Sequence, residues 1–373
     1  MSGVYVSYPY CRQKCTYCNF SSGVGGAEAQ GRYYAALLRE LRDYAPCKKP
    51  LTLYFGGGTP SLLDGERMAG LTAAVPGRPW AEATIEAAPG DVGRPRAQAW
   101  ARAGISRVSL GVQSFDREIA RAAGRRHDAE TVRAEIETLA EAGIRRINVD
   151  LIAGLAHQTA KTWESDLDWV ERLDVEHVAV YMLEVDDESR LGEEMRSGGA
   201  RYGAQSTPDE DAVAAMYERA VERLAAAGLE RYEISNFARP GAESLHNLGY
   251  WTMEPYFGFG ADAHSFDGER RWRNVRDAGE YAARIDGGAS PREEVENLDA
   301  RRLLEDRLLT GLRTRSGVRL DDDELAGLAA TLDDLAGRGW VERPAPDCFR
   351  LTDQGVLFAN EALGELLFAG EPS

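Results

Sequence analysis

Three cysteines near the amino terminus have the spacing of a metal-binding loop. Cys11, Cys15 and Cys18 follow the pattern C-x3-C-x2-C and make up three of the five cysteines among 373 residues. Three thiolates on one short loop can hold an iron–sulfur cluster of the [4Fe–4S] type, which normally takes four cysteines. One iron would then keep a free coordination position. The spacing therefore predicts a redox cluster with an open iron.

A structural zinc site is the alternative interpretation of these cysteines. Such sites are closed by four ligands, and no further cysteine or histidine lies close to the loop in the sequence. Tyr10, Tyr17 and Phe20 surround the cysteines, and an apolar shell controls the access of solvent to a redox centre. These features favour iron–sulfur over zinc. Cys47 and Cys348 belong to no motif, and we interpret them as ordinary thiols.

A glycine-rich run, Gly56-Gly57-Gly58-Thr59-Pro60, follows the second predicted strand. Three glycines let a backbone approach a ligand closely and expose its N–H groups. The run lacks the lysine of a phosphate-binding loop. Taken alone, it is equally consistent with a tight turn from a strand into a helix.

The elements that must position these residues alternate between strand and helix. The clearest helical patterns lie at 32–43 and 131–142. The six predicted strands are Val4–Ser7, Leu51–Phe55, Ala83–Ala87, Arg107–Gly111, Arg146–Asp150 and His177–Tyr181. Such alternation predicts an α/β fold with a parallel sheet and outer helices. We expect an incomplete (β/α)6 barrel whose strand carboxyl ends carry the site, with an open flank that admits a large substrate.

The pattern changes at about residue 205, and we predict three units. A partial barrel covers 1–205, and an extension rich in glycine and aromatic residues covers 206–285. A mostly helical C-terminal unit covers 286–373 and ends in a hairpin pattern typical of a winged-helix-like domain.

Composition argues against several classes of function. The formal net charge of −17 opposes binding to nucleic acid, whose phosphates attract a basic surface. No run approaches 18 apolar residues, so we expect no membrane span. The amino end has no signal-peptide pattern, and five cysteines do not form a secreted disulfide framework. We therefore expect a cytoplasmic protein.

These motifs together resemble the radical S-adenosylmethionine (SAM) superfamily and, within it, the HemN/HemW group. The cysteine loop, the glycine run, Gly-Val-Gln-Ser-Phe at 111–115 and Asn-Val-Asp-Leu-Ile at 148–152 match that group in order and spacing. The resemblance covers nearly the whole chain. It implies a radical-SAM barrel in which Cys11, Cys15 and Cys18 hold the cluster and SAM chelates the open iron.

The resemblance also implies a set of SAM contacts. They are Tyr5, Tyr17, Gly58, Thr59, Glu86, Gln113, Arg125 and Asp150. The charges are suitable, because Arg125 can pair with the methionine carboxylate and Asp150 can accept from ribose hydroxyls. The alternative for each side chain is a strand-end residue that caps the next helix.

Two features distinguish the branches of the group. The oxygen-independent coproporphyrinogen III oxidases have a further cysteine two residues after the third, where this chain has Phe20. The haem chaperone branch has phenylalanine there and a His-Asn-x-x-Tyr motif, which His246, Asn247 and Tyr250 match. An imidazole is a good axial ligand for haem iron. A histidine that only hydrogen-bonds within a loop is the alternative.

The resemblance therefore implies a haem chaperone that binds a [4Fe–4S] cluster, SAM and haem and delivers haem to a client, which we expect to be a respiratory haem protein. The alternative is an oxygen-independent coproporphyrinogen III oxidase. The sequence leaves open whether SAM is cleaved, what the oligomeric state is, and whether the end domain contacts a membrane surface.

Overall fold

The predicted strand–helix alternation is present in the first half of the chain. This computed structural model describes residues 2–43 and 49–369. The strands are β1 (Gly3–Tyr8), β2 (Thr52–Gly57), β3 (Glu82–Ala87), β4 (Arg107–Gln113), β5 (Arg146–Ala153) and β6 (His177–Met182). The helices are α1 (Ala27–Asp43), α2 (Gly65–Ala74), α3 (Arg94–Ala103), α4 (Arg117–Ala122), α5 (Ala129–Glu141) and α6 (Ala160–Leu173). All six strands pair in chain order and in parallel.

Local sequence signals explain where these helices begin and end. The Asp128 side chain accepts from the Thr131 amide at 2.9 Å and caps the start of α5. Val132 and Leu139 on one face of α5 are buried. Gly104 after α3 and Gly143 after α5 have φ of 92° and 95°, a conformation that glycine adopts without strain. Both helices therefore stop at the Ala-Gly-Ile sequences of residues 103–105 and 142–144.

The two faces of the central strands differ in polarity. The outward side chains are apolar and buried against the helices. Examples are Val4, Leu53, Ile85, Val108 and Val149. The inward side chains at alternate positions are largely polar. Inward-facing positions of a packed barrel are normally filled by branched apolar residues. This polar interior is therefore a feature that the core does not require.

The second half extends the sheet at both edges. Its elements are α7 (Arg190–Arg196), α8 (Glu210–Ala226), β7 (Glu230–Arg231), β8 (Asn236–Ala238), α9 (Leu245–Trp251), β9 (Tyr256–Phe259), β10 (His264–Phe266), β11 (Arg270–Asn274), α10 (Ala278–Asp286) and β12 (Arg292–Asn297). The sheet order is β12-β11-β10-β9-β1-β2-β3-β4-β5-β6-β8-β7. β9 pairs in parallel with β1, and β8 pairs antiparallel with β6.

This extension corrects one expectation. Both edges of the six-stranded unit are paired, so the flank that we expected to be open carries additional strands. The three-unit division stays a prediction. β12, which lies beyond the expected boundary at 285, pairs with β11 in the main sheet.

The C-terminal region combines helices with a small antiparallel sheet. Its elements are α11 (Ala300–Gly311), β13 (Val318–Arg319), α12 (Asp322–Gly337), β14 (Val341–Ala345), β15 (Cys348–Leu351), α13 (Asp353–Leu357) and α14 (Ala359–Ala369). The predicted hairpin is formed by β14 and β15, and β13 pairs with β15. An ion pair between Arg231 and Asp353 links this region to the extension. Within the described ranges, no helix has the length and apolar character needed to cross a membrane.

Candidate functional site

The cysteine loop follows β1 and is held to its surroundings by backbone hydrogen bonds. The Cys11 amide donates to the Gly23 carbonyl at 2.8 Å, and the Gly23 amide donates to the Pro9 carbonyl at 2.9 Å. The Thr16 amide donates at 3.3 Å to the carbonyl of Ala123, just after α4. The loop is thus anchored at both of its ends and near its middle, which fixes where its thiols can reach.

The three thiols are free and partly exposed, and burial raises the pKa of the Cys18 thiol. In residues 2–43 and 49–369, no three His, Cys, Asp or Glu side chains come close enough to hold one metal ion. A [4Fe–4S] cluster is held by thiolates alone, whereas a structural zinc ion needs four converging ligands. Three thiols on one loop are the kind of donor that such a cluster takes. When bound, such a cluster supplies one-electron chemistry. Cys47 lies outside the described residues.

The glycine run packs directly against the start of the cysteine loop. The Gly58 amide donates to the Tyr8 carbonyl at 2.8 Å, and the Thr59 amide donates to the Tyr10 carbonyl at 2.9 Å. A Cβ at Gly58 would lie 2.8 Å from the Tyr8 carbonyl oxygen, a distance that real contacts do not reach. Glycine is required here because two backbone segments touch.

The end of β4 holds two buried polar groups that lack a partner. Gln113 has φ of 70°, a left-handed conformation that is strained for this residue and is typical of functional sites. Its Oε1 atom and the Nε atom of Arg125 are buried, and neither has a hydrogen-bond partner among the described residues. Arg125 donates to the Tyr17 hydroxyl at 3.3 Å. Buried polar atoms without partners are costly, and a ligand with a carboxylate and an amino group would satisfy them.

Glu86 and Asp150 face each other across the barrel interior. Glu86 accepts from the Tyr54 hydroxyl at 3.0 Å, and Asp150 accepts from Ser109 Oγ at 3.2 Å and from Asn148 Nδ2 at 2.5 Å. Burial and the nearby charge of Asp150 raise the pKa of Glu86 to about 7. Burial likewise raises the pKa of Asp150. Two carboxylates held this way attract a cationic ligand.

His246, the first residue of the His-Asn-x-x-Tyr motif, lies on α9 beneath the barrel. It is 3% exposed and stacks on the Tyr54 ring with the centroids 5.1 Å apart. Its Nδ1 atom lies 2.8 Å from Thr52 Oγ1, and its Nε2 atom lies 2.8 Å from the Tyr250 hydroxyl. Burial lowers its pKa to about 3. Both ring nitrogens are thus engaged, as in the alternative of a hydrogen-bonded histidine, and iron coordination would require one bond to break.

The carboxylate of Glu82 fixes the start of α9. It is fully buried and accepts from Ser244 Oγ at 3.0 Å and from the Leu245 and His246 amides at 3.1 Å. A carboxylate at a helix N-terminus satisfies otherwise unpaired amides. Asn247 is held differently, because its Nδ2 donates to Glu233 Oε1 at 3.0 Å.

One cavity inside the barrel joins part of the predicted SAM set to the predicted haem set. It has a volume of about 230 Å³ and is lined by Tyr5, Tyr54, Glu86, Arg107, Ser109, Asn148, Asp150, Tyr181, Asn236, Ser244, His246, Asn247 and Tyr250. Gly58, Thr59, Gln113, Arg125 and Tyr17 do not line it. A larger cavity of about 1180 Å³, between α1, β9 and β11, contains none of the predicted site residues.

Sequence reasoning missed several residues of this interior. Tyr54 stacks on His246 and lies 6.0 Å from the Tyr5 ring, and Glu82, Arg107 and Thr52 also belong to it. A signal was available, because Thr52 and Tyr54, like Glu82 and Glu86, are polar residues at even spacing within buried strands. Even spacing places side chains on one face of a strand.

Known proteins resemble this chain along nearly its entire length. A family model described as the Radical SAM superfamily matches residues 5–170. The "Heme chaperone HemW" of Bacillus subtilis is 33% identical, over 98% of this chain and 99% of that protein. The protein of the same name from Mycobacterium tuberculosis is 36% identical, over 98% of this chain and 94% of that protein. This chain belongs to the HemW family of radical SAM proteins.

The fold of this HemW family member is also similar to a solved structure. Coproporphyrinogen III oxidase (HemN) from Escherichia coli, described as a radical SAM enzyme, matches with a TM-score of 0.82 at 21% identity. The match covers 99% of this chain and 89% of the oxidase chain. At that identity the match establishes the radical SAM α/β fold, as predicted, and carries no statement about activity.

Proposed function

We propose that this chain is a haem chaperone of the radical SAM type, which binds a [4Fe–4S] cluster, SAM and haem and delivers haem to a client haem protein. The observation that carries the proposal is the similarity, at 33–36% identity and over nearly full length, to proteins named "Heme chaperone HemW". Such coverage includes the cysteine loop, the barrel interior and the C-terminal region together.

Phe20 supports this branch over the oxidase branch. It occupies the position of the oxidases' additional cysteine, and its side chain is 62% exposed beside the cysteine loop. A phenyl ring cannot bind iron, so the loop offers Cys11, Cys15 and Cys18 as cluster ligands. We propose that the fourth iron binds the amino and carboxylate groups of SAM.

The unpaired groups around β4 support the proposed SAM site. Gln113 Oε1 and Arg125 Nε are buried without partners among the described residues, and the adjacent Gly111 leaves both side chains room. SAM carries a carboxylate for Arg125, an amino group near Gly58 and Thr59, and ribose hydroxyls for Asp150. Tyr5, Tyr17 and Glu86 complete the proposed set.

The haem site at His246, Asn247 and Tyr250 is the least direct part of the proposal. His246 is bonded on both ring nitrogens, so haem binding there requires the Tyr250 hydroxyl to move away from Nε2. This requirement makes the site testable, because a Tyr250→Phe variant lacks that hydrogen bond and leaves Nε2 free to bind haem iron.

We further propose that the chain works in the cytoplasm and that its client is a respiratory haem protein. A barrel that shelters a redox cluster on half-buried thiols suits a reducing compartment. The net charge of −17 favours a protein or tetrapyrrole partner over nucleic acid.

The test is a haem titration of anaerobically reconstituted protein, followed by transfer to the apo form of a haem protein. We expect a Soret band that saturates on titration and then moves to the acceptor. Phe20→Leu is the matched control for a change beside the cluster, and it should transfer haem normally. Absence of saturable haem binding by cluster-loaded protein would overturn the proposal.

The alternative, oxidative decarboxylation of coproporphyrinogen III, is tested in parallel. Reduced, cluster-loaded protein is incubated anaerobically with SAM and coproporphyrinogen III, and products are separated by chromatography. We expect no protoporphyrinogen above a Cys15→Ala control. Its formation would assign the chain to the oxidases. Release of 5′-deoxyadenosine in the same reactions reports separately whether SAM is cleaved.

A further inference from the structure

Arg107, the first residue of β4, is a buried cation to which no described residue forms a hydrogen bond or a contact ion pair. It is 3% exposed, and among the described residues none lies within hydrogen-bond or ion-pair distance of its guanidinium group. Most other arginines of the chain form ion pairs on the surface. An unpaired buried charge is costly, and buried charges are normally paired. Asp150 interacts with Arg107 through space, since the charge of Arg107 opposes the rise that burial causes in the pKa of that carboxyl. No carboxylate among the described residues contacts the guanidinium group, so the position can take a further anion.

The guanidinium group faces the 230 Å³ cavity inside the barrel. Of the described residues that line this cavity, Arg107 alone is permanently cationic, since the buried His246 has a pKa lowered to about 3. Arg107 pairs in register with Thr84, and Ser109 pairs with Glu86. Arg107 therefore lies two residues, or about 6.6 Å along the strand, deeper than the level of Glu86.

Several other hydrogen-bond donors in the cavity wall are already used. The amide group of Asn148 donates to Asp150, and those of Asn236 and Asn247 donate to Glu233. Ser244 Oγ donates to Glu82. The protein's own carboxylates thus accept from these side-chain amides and from the serine hydroxyl, whereas the planar fork of Arg107 lines the cavity without a hydrogen bond to a described residue. Such a fork matches a carboxylate with two parallel hydrogen bonds.

We infer that Arg107 forms the floor of a carboxylate-binding subsite that receives a propionate arm of the tetrapyrrole; this inference rests on the proposed haem function. The cavity is negative at the level of Glu86 and Asp150 and positive at its floor. A ligand arm that extends past the SAM site would therefore place its carboxylate at Arg107. The part of the cavity that Glu86 and Asp150 line would attract the positively charged sulfonium group of SAM.

The size of the cavity decides how much of the ligand enters. Pockets that enclose a whole drug-sized ligand have about 300–1,000 Å³, and 230 Å³ is less. In this structure the subsite therefore has room for one arm of the molecule. Coordination of the haem iron by His246, which lines the same cavity, requires the cavity to widen when the Tyr250 hydroxyl moves away. Blocking the propionates should then weaken binding even though the ring is unchanged.

The first experiment compares haem with haem dimethyl ester, whose propionates are neutral. We expect the wild-type protein to prefer haem by about 10- to 100-fold, the range for a buried charge-assisted pair. Arg107→Met should remove this preference and leave the affinity for the ester within about twofold. Arg107→Lys, which keeps the positive charge but loses the planar guanidinium fork, should retain only part of the preference for haem over the ester. Arg146→Met, on the adjacent strand and outside the cavity lining, should behave as wild type.

The second experiment does not depend on haem. Propionate should raise the melting temperature of the wild-type protein at concentrations at which propionamide does not, and Arg107→Met should abolish the difference. A wild-type protein that responds to propionate but does not bind haem would refute the haem function and keep the subsite. Equal responses to propionate and propionamide, or an unchanged haem preference in Arg107→Met, would overturn the subsite. A tenfold loss of SAM affinity in Arg107→Met, with that preference intact, would show that the carboxylate belongs to SAM.

Discussion

Replacing Glu86 by glutamine tests whether this carboxylate is kept for ligand binding at a cost in stability. The side chain lies in the barrel interior, accepts from the Tyr54 hydroxyl at 3.0 Å, and has a pKa raised to about 7 by burial and by Asp150. A glutamine carbonyl can accept the same hydrogen bond. The substitution therefore removes the charge with little change in shape.

The sign and size of the effect follow from linkage. The native state binds the Glu86 proton more tightly than the unfolded state, so stability falls as the pH rises from about 4.5 to about 7 and stays lower above that. The shift corresponds to about 3 kcal/mol. Because the side chain is only partly buried, we expect about 1.5–2.5 kcal/mol to be realised.

The assay is urea unfolding of the cluster-free protein at pH 5 and pH 8, with tryptophan fluorescence as the signal. Glu86→Gln should be more stable than wild type by about 1.5–2.5 kcal/mol at pH 8 and nearly equal to it at pH 5. Its affinity for SAM, measured on cluster-loaded protein, should fall by about tenfold. Glu218→Gln on the exposed face of α8 is the control and should change neither quantity. Lower stability of Glu86→Gln at pH 8 would refute the reasoning.

Three further predictions follow from the site. Cys15→Ala should lose the cluster, measured as iron, sulfide and visible absorbance. The control Cys348→Ala removes a buried thiol that is bonded to a backbone carbonyl and should retain the cluster. Full iron and sulfide in Cys15→Ala would contradict the ligand assignment. His246→Ala should weaken haem binding with the cluster intact, whereas Tyr250→Phe, which keeps the ring but frees Nε2, should strengthen it. Unchanged titrations in both variants would exclude that haem site. Gly58→Ala places a methyl group 2.8 Å from backbone atoms at the start of the cysteine loop. The affinity for SAM should fall at least about tenfold. A wild-type affinity would argue against a close approach of this backbone to SAM.

The strands and the cysteine loop could be predicted because their signals are local. Apolar residues alternate along β1 to β6, glycines end α3 and α5, and the cysteines are close in sequence. The turn chemistry of a strand–helix unit depends on neighbouring residues only. For the same reason the hairpin of β14 and β15 was predictable from its flanking pattern.

The sheet edges could not be predicted because their pairing is distant in sequence. β9 has four residues and pairs with β1, which lies about 250 positions earlier. A four-residue strand rich in glycine and aromatic residues has no distinctive period. The burial of His246 is similar, since it depends on Thr52 of β2 and Glu82 of β3. Nothing near the motif indicates that both ring nitrogens are occupied.

The pairing of β9 with β1 also has a consequence for protein synthesis. The cysteine loop and β1 emerge from the ribosome long before β9, because the strand that covers the outer edge of β1 ends at Phe259. Unpaired strand edges invite association with other chains. The nascent protein therefore exposes that edge until the roughly 250 residues that separate the two strands have been translated.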